Sequence, residues 1–260
     1  MTEFVLETSG LTLSFGSLHV MKDVTLRLRA GARHALIGPN GAGKTTFVNL
    51  LSGVLVPDRG RILLSDEDIT HQLPGRRVKL GLARTFQVNN LFRALTVLEN
   101  VYLAISEHRQ ASRDMFSAAI HRRDILERAE QVVERLGLTE DMHRRISEIA
   151  YGRQRVVEFA IGLSLEPKVL LLDEPTAGVP SAEITGLLDT INRLPTETAI
   201  LMIEHDMQVV KRFAREVTVL VAGEVLMTGS PEQVMTSEEV RTVYLGQSGY
   251  ERFASNKIGA

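Results

Sequence analysis

A glycine-rich segment between an apolar run and a helical pattern carries the strongest chemical signal in this sequence. It reads Gly38-Pro39-Asn40-Gly41-Ala42-Gly43-Lys44-Thr45-Thr46, the spacing of a phosphate-binding loop. Glycines there let backbone N–H groups converge on phosphate oxygens, and the N-terminus of the following helix adds positive partial charge. We expect Lys44 to reach the β- and γ-phosphates of a nucleotide, and Thr45 to offer its hydroxyl to Mg²⁺. The segment therefore predicts a nucleotide-binding site.

A pair of acidic residues ends a second apolar run. The segment Val-Leu-Leu-Leu-Asp-Glu-Pro contains Asp173 and Glu174 at the predicted carboxyl end of a strand, where α/β proteins bind ligands. Asp173 is suited to hold a metal ion, and Glu174 to polarise an attacking water as a general base. Such a pair alone is weak evidence, because acidic residues are common in helix caps and turns. Together with the phosphate loop, it favours nucleotide hydrolysis.

The elements that must position these residues follow an α/β order. We predict strands over residues 4–6, 11–15, 24–28, 34–37, 60–64, 82–86, 169–172, 199–203, 217–221 and 225–228. We predict helices over residues 47–51, 182–194 and 207–213, and a short one opened by Pro231. Residues 96–165 show only helical periodicity, with a helix start near Thr139. The pattern indicates a parallel-sheet core interrupted by a helical insertion.

Composition excludes several classes of protein. With 260 residues the chain suits one large domain, or one domain with a subdomain. Thirty Lys and Arg against 32 Asp and Glu argue against a generally basic nucleic-acid binder. No apolar run exceeds five residues, and the first residues lack the basic and apolar regions of a secretory signal, so we expect a cytoplasmic chain. The absence of Cys excludes disulfides, thiol nucleophiles and Cys-ligated zinc.

Over nearly its whole length the sequence resembles ATP-binding cassette (ABC) ATPases. In this resemblance Gln87, in Ala-Arg-Thr-Phe-Gln, matches the Q-loop, and His205, in Ile-Glu-His-Asp, matches the switch histidine. Phe15 matches the aromatic residue that stacks on adenine. The family signature, which acts on the nucleotide of a partner subunit, matches Ala150, Tyr151, Gly152, Arg153 and Gln154.

The resemblance implies a set of roles for these residues. The catalytic residues would be Glu174, His205 and Gln87. The metal ligands would be Thr45, Gln87 and Asp173. Phe15 and the whole loop from Gly38 to Thr46 would bind ATP. ATP and Mg²⁺ are therefore the expected substrate and cofactor.

The resemblance also implies a fold. It is α/β, with a P-loop NTPase core of the ABC ATPase type, an antiparallel β subdomain and an inserted helical subdomain. We expect a single ABC ATPase domain over residues 1–260. Its RecA-like and β core would cover about 1–87 and 166–235, its helical subdomain about 88–165 and its C-terminal tail about 236–260.

A narrower resemblance points to the ATPases of branched-chain (hydrophobic) amino acid importers. It rests on residues 82–87 (LARTFQ), 91–93 (LFR), 95–101 (LTVLENV), 203–207 (IEHDM) and 244–246 (YLG). The long charged segment over 106–134 suits the larger of the two ATPases in those importers. Importers of urea, amides or other carboxylates share these features, as does the ATPase of lipopolysaccharide export.

Two positions depart from the usual ABC pattern. Ile149-Ala150 stands where the family usually has Leu-Ser, which removes a hydroxyl that would bond the γ-phosphate held by the opposite subunit. Ala also occurs there in the branched-chain group. Pro180-Ser181 follows the acidic pair, and Pro180 removes a backbone N–H at an expected dimer contact. Because a heterodimer would carry the loss at Ala150 in only one of its two composite sites, we favour a heterodimer, with a homodimer as the alternative.

The favoured function is an ATP-hydrolysing subunit that powers an ABC importer. Its expected partners are integral-membrane permease subunits, a second ATPase subunit and, indirectly, a secreted substrate-binding protein, with no nucleic acid. It would lie on the cytoplasmic face of the cell membrane through its permeases. The alternatives are a lipopolysaccharide or lipid export ATPase, a soluble ABC ATPase acting on DNA or ribosomes, and a nucleotide-binding scaffold without turnover. The last is disfavoured by the presence of Glu174, Gln87 and His205.

Overall fold

The computed structural model describes residues 3–85, 91–109 and 118–245. The chain groups into two compact units, Met1–Gln72 with Leu201–Ala260, and Leu73–Ile200. The predicted helical subdomain, residues 88–165, falls in the second unit, and its boundaries stay a prediction.

The described elements alternate between strands and helices. The strands are β1 (Leu6–Phe15), β2 (Leu18–Leu28), β3 (Arg33–Ile37), β4 (Arg59–Leu64), β5 (Glu67–Asp68), β6 (Leu82–Thr85), β7 (Val169–Asp173), β8 (Ala199–Ile203), β9 (Glu216–Val221) and β10 (Glu224–Gly229). The helices are α1 (Lys44–Ser52), α2 (Pro74–Leu80), α3 (Val97–His108), α4 (Ala118–Arg135), α5 (Tyr151–Ser164), α6 (Ser181–Asn192), α7 (Met207–Phe213), α8 (Pro231–Thr236) and α9 (Glu238–Leu245). Among the described helices, none is both long enough and apolar enough to cross a membrane.

The first unit contains an antiparallel sheet with strand order β2-β1-β4-β5. Burial alternates along β1, so one face of the strand packs in the core. The two strands predicted over residues 4–6 and 11–15 are one strand, because pairing with β2 continues through register shifts around Gly10. A side chain on Gly60 would approach the Gly10 carbonyl oxygen to 2.5 Å. Residue 60 must therefore be glycine for the backbones of β1 and β4 to lie this close.

The first unit also holds the strand that leads into the glycine-rich loop. Every residue of β3 is buried, as expected for a parallel strand covered on both faces. It pairs in parallel with β9, which pairs antiparallel with β10. The chain just after β8 lies beside it, since the Glu204 N–H donates to the Leu36 carbonyl at 3.4 Å. Burial lowers the pKa of His34 on this strand, which favours the neutral imidazole.

The second unit combines a parallel strand pair with helices. β6 and β7 pair in parallel, starting from Leu82 opposite Val169. Helix α3 begins after Thr96, whose hydroxyl accepts from the Glu99 N–H while the Glu99 carboxylate accepts from the Thr96 N–H. Helices α3, α4 and α5 pack on one another in this unit. This arrangement agrees with the helical periodicity of the middle of the sequence.

Further differences between the sequence prediction and the structure concern the helical segments. Helix α2 was not predicted, although Pro74 at its first position is a typical helix start. The helix start predicted near Thr139 is a single 3-10 turn over Thr139–Asp141. The Asp141 carboxylate there accepts from Arg144 and Arg153, so side-chain bonds hold the segment without a longer helix.

Candidate nucleotide site

The backbone of the glycine-rich loop is fixed by its surroundings in the first unit. A methyl group on Gly38 would overlap the carbonyl oxygen of Leu220. Gly43 caps α1 in the left-handed region at φ 101°, and a side chain there would lie 3.1 Å from the Val20 carbonyl oxygen. Both positions therefore require glycine. At Gly38 the reason is the close approach of the Leu220 carbonyl, and at Gly43 it is both a close carbonyl and the left-handed backbone.

The loop presents hydrogen-bond donors at the start of a helix. The Lys44 ammonium donates to the carbonyls of Gly38 at 2.6 Å and Pro39 at 3.0 Å, which holds it against the loop. No acidic residue lies in the first turn of α1, so its partial positive charge is not neutralised from within the helix. Thr45 in that turn is exposed and Thr46 is half-buried. The arrangement suits a phosphate group.

A neighbouring strand and turn support the loop from one side. The Gly223 N–H donates to the Ala42 carbonyl at 3.0 Å, and the Lys22 N–H donates to the Gly223 carbonyl at 2.8 Å. Next to Lys22, Met21 pairs with Leu13 of β1, two residues before Phe15. The supporting strand thus connects the loop to the end of β1.

Phe15 is an exposed aromatic side chain at that strand end. It is 53% exposed and pairs across the hairpin with Leu18, which is 64% exposed. An exposed aromatic ring has a free face on which a base can stack. Its exposure is compatible with the predicted adenine contact.

Glu204 and Tyr244 of the first unit lie beside predicted site residues. The sequence predicted no role for either of them. The carboxylate of Glu204, fully buried, accepts from the backbone N–H of His205 at 3.0 Å and fixes the turn that carries this half-exposed histidine. Tyr244 of α9 is close to the Gly38 backbone, and burial raises the pKa of its hydroxyl to about 12. The sequence signal available for Glu204 was an acidic residue directly after an apolar run.

The acidic pair lies in the second unit at the end of β7. Asp173 is 4% exposed, and its Oδ2 accepts from Nη2 of Arg84 at 2.7 Å. Glu174 is half-buried and has a φ of 47°, a left-handed conformation that is uncommon for a residue with a side chain. Such backbone strain, worth on the order of 1–3 kcal/mol, clusters at functional sites. Arg84 was quoted in the sequence motif but received no role there.

The signature residues open helix α5 in the same unit. Ala150 occupies the N-cap and provides no side-chain cap, as its methyl group dictates. The Tyr151 ring lies against Gly178, where an added side chain would meet it at 3.3 Å. Gly152 lies against the carboxylate of Glu183, which would have to move to admit a side chain at position 152.

The other signature side chains make inward contacts within the unit. Arg153 pairs with Asp141 at 2.7 Å, and the Gln154 amide donates to the carbonyls of Ile146 and Ile149. These side chains therefore brace the start of α5.

The predicted site residues divide between the two units. The first carries Phe15, the loop from Gly38 to Thr46, and His205, whereas the second carries Asp173, Glu174 and the signature. Gln87 lies outside the described residues. Within the ranges that the structure describes, no group of three or more His, Cys, Asp or Glu residues could hold a metal on its own.

Comparison with known proteins places the chain in a family. A family model described as "ABC transporter" matches residues 21–177. The chain is 38% identical to the "High-affinity branched-chain amino acid transport ATP-binding protein LivG" of Escherichia coli (strain K12), over 95% of this chain and 100% of that protein. It is 37% identical to the corresponding protein BraF of Pseudomonas aeruginosa, with the same coverage.

Solved structures give the same result for the fold. The ADP conformation of MJ1267, described as an ATP-binding cassette of an ABC transporter, matches with a TM-score of 0.82 and 26% identity over 95% of this chain and all of that one. CbiO1 from Clostridium perfringens matches with a TM-score of 0.76 and 25% identity, over 95% of this chain and 97% of that one. The predicted family and fold class are thus confirmed, and the chain belongs to the ABC transporter family as an ATP-binding cassette.

Proposed function

We propose that this chain hydrolyses ATP to power an importer of branched-chain amino acids or of a related small polar solute. The observation that carries the proposal is the full-length similarity to LivG, at 38% identity over 258 residues. The names of several relatives, including a ribose import protein at 32% identity, refer to import or to branched-chain amino acid transport. This supports import over lipid export.

ATP would bind through the loop and the exposed aromatic ring of the first unit. Lys44 contacts the β- and γ-phosphates, the loop N–H groups bind their oxygens, and Phe15 stacks on the adenine. The glycine positions that exclude any side chain and the Lys44 ammonium held against the loop support these roles.

Mg²⁺ would be held by Thr45, Gln87 and Asp173. Hydroxyl, amide and carboxylate oxygens are the donors that this hard cation prefers. When it is bound, Mg²⁺ would neutralise negative charge on the phosphates. The exposed position of Thr45 in the first turn of α1 is compatible with this donor set.

Hydrolysis would depend on Glu174, with His205 and Gln87 aligning the attacking water. Glu174 accepts the proton from water as the general base. The left-handed backbone of Glu174 and the buried Glu204 carboxylate behind His205 support specialised roles at both positions.

The signature would act on the nucleotide of a partner ATPase subunit. Residues 150–154 lie at the N-terminus of α5, whose partial positive charge favours a phosphate. Ala150 contributes no hydroxyl to that contact, so a heterodimer with a second, serine-bearing ATPase is the preferred assembly. The partners would further include permease subunits and, indirectly, a secreted binding protein, and the chain would lie peripherally on the cytoplasmic face of the membrane.

The proposal is tested by uptake into proteoliposomes that contain the chain, its permeases and any partner ATPase. With ATP inside and binding protein outside, we expect accumulation of labelled leucine, isoleucine or valine, or of urea, amides or carboxylates if the solute is a related one. The Glu174→Gln complex should accumulate none of them. ATP-driven extraction of lipid without uptake of any of these solutes would contradict the import proposal.

A further inference from the structure

Arg84 is the last residue but one of β6 and lies beside the metal-binding carboxylate of the proposed function. β6 pairs in parallel with β7, and Arg84 is in register with Leu171, two residues before Asp173. The guanidinium Nη2 lies 2.7 Å from Oδ2 of Asp173, a length typical of a charge-assisted hydrogen bond. The pairing of two rigid strands thus fixes the contact.

The ion pair is shielded from water. The Arg84 side chain is 14% exposed and that of Asp173 is 3% exposed. By contrast, the pair between Arg123 and Glu127 on α4 is 82% and 56% exposed at a similar distance of 3.1 Å. Solvent screens the pair on α4 strongly and the Arg84 pair weakly, so only the latter is expected to change the affinity of the carboxylate for another cation.

The same carboxylate is the one to which the proposed function assigns Mg²⁺. An arginine in contact with a carboxylate neutralises much of the negative potential that attracts a metal ion. It also orients the carboxylate, because a planar guanidinium bonds in fixed directions. The guanidinium donates to Oδ2 of Asp173.

We propose that Arg84 is a positioning residue that holds Asp173 in the metal-free chain and competes with Mg²⁺ for its charge. The inference rests on the proposed function, since it requires Asp173 to be a metal ligand. Arg84 lowers the affinity of the site for Mg²⁺ and keeps the buried carboxylate paired until the metal ion arrives together with nucleotide. Arg84 also stands three positions before Gln87, the other predicted ligand in that segment.

The test is a Mg²⁺ titration of ADP binding to the full chain, with a fluorescently labelled ADP that cannot be hydrolysed further. In Arg84→Met and Arg84→Gln, which remove the positive charge, the half-saturating Mg²⁺ concentration should fall by about tenfold or more, because a positive charge in contact with the carboxylate strongly opposes the binding of a second cation. Arg84→Lys keeps the charge and should stay within about threefold of the wild type. Arg123→Met is the matched control and should not change the midpoint, because its pair is exposed.

The outcomes separate the inference from the proposed function. A midpoint that is unchanged or raised in both uncharged variants, with ADP still bound, overturns the role of Arg84 alone. Failure of the wild-type chain to bind labelled ADP with or without Mg²⁺ overturns both. Lower thermal stability with an unchanged midpoint means that the pair is only structural. If Arg84→Met does not fold, the Arg84→Gln and Arg84→Lys titrations decide by the same criteria.

Discussion

The phosphate-loop region of the first unit and the acidic and signature region of the second are built in different ways. The loop is shaped by backbone, with Gly38 packed against a carbonyl and Gly43 in a left-handed cap. The second region is shaped by side-chain contacts. Arg84 forms an ion pair with Asp173, and the Tyr151 ring packs against Gly178. A site made of backbone is specified by residues that must be glycine, whereas one made of side chains depends on partners distant in sequence.

This difference predicts different responses to substitution. Changes in the loop should affect nucleotide affinity, or the fold where a side chain has no room. Changes in the second region should affect turnover, metal affinity or the bracing of α5, and leave the loop intact.

The largest change in binding is expected at the loop. Lys44→Ala removes a charged donor that faces phosphate, so ATP affinity should fall by about 1.5–3 kcal/mol, or more than tenfold. Equilibrium binding of labelled ATP measures this loss, with circular dichroism to verify the fold. Lys211→Ala, at an exposed position of α7 in the same unit, is the matched control. Equal affinities for the two variants would remove Lys44 from the phosphate site.

A glycine substitution tests whether the loop is limited by backbone packing. Gly38→Ala places a methyl group on the Leu220 carbonyl, so we expect a loss of about 1–3 kcal/mol in the free energy of unfolding. Gly186→Ala in α6 has open space around it and should gain about 0.5–1 kcal/mol, because Ala favours a helix over Gly. Urea denaturation of both variants compares them. A neutral Gly38→Ala would show that the loop backbone moves easily.

The smallest expected effect concerns the aromatic brace of the signature. Tyr151→Ala loses the ring that packs on Gly178 and the cation–π contact with Arg155 at 5.3 Å, and should cost about 1 kcal/mol. Tyr151→Phe keeps the ring and loses only a long bond to the Ala177 carbonyl at 3.4 Å, so its stability should change by less than about 0.5 kcal/mol. Denaturation measures both. Equal losses would mean that the hydroxyl, and not the ring, braces the helix.

The parts of the molecule that the sequence predicted well are those with local signals. The loop from Gly38 to Thr46 follows from its own glycines, and the buried strands β3, β7 and β8 follow from short apolar runs. The contact of Arg84 with Asp173 joins residues 89 positions apart and has no local signal. Glu204 has a local signal only as an acidic residue directly after an apolar run, and its burial depends on the strands around it. Pairing between distant segments is decided by tertiary packing, which periodicity does not encode.

We propose that the glycine-rich loop binds ATP and that Glu174 acts as the general base in its hydrolysis. The most direct test of this division is to measure ATP turnover and ATP affinity together in the assembled complex with Glu174→Gln. Because this change keeps size and hydrogen bonding and removes the base, we predict that kcat falls by about 10² or more. ATP affinity should stay within about threefold of the wild type, because no contact with the phosphates is assigned to Glu174. Turnover close to that of the wild type in this variant would contradict the account.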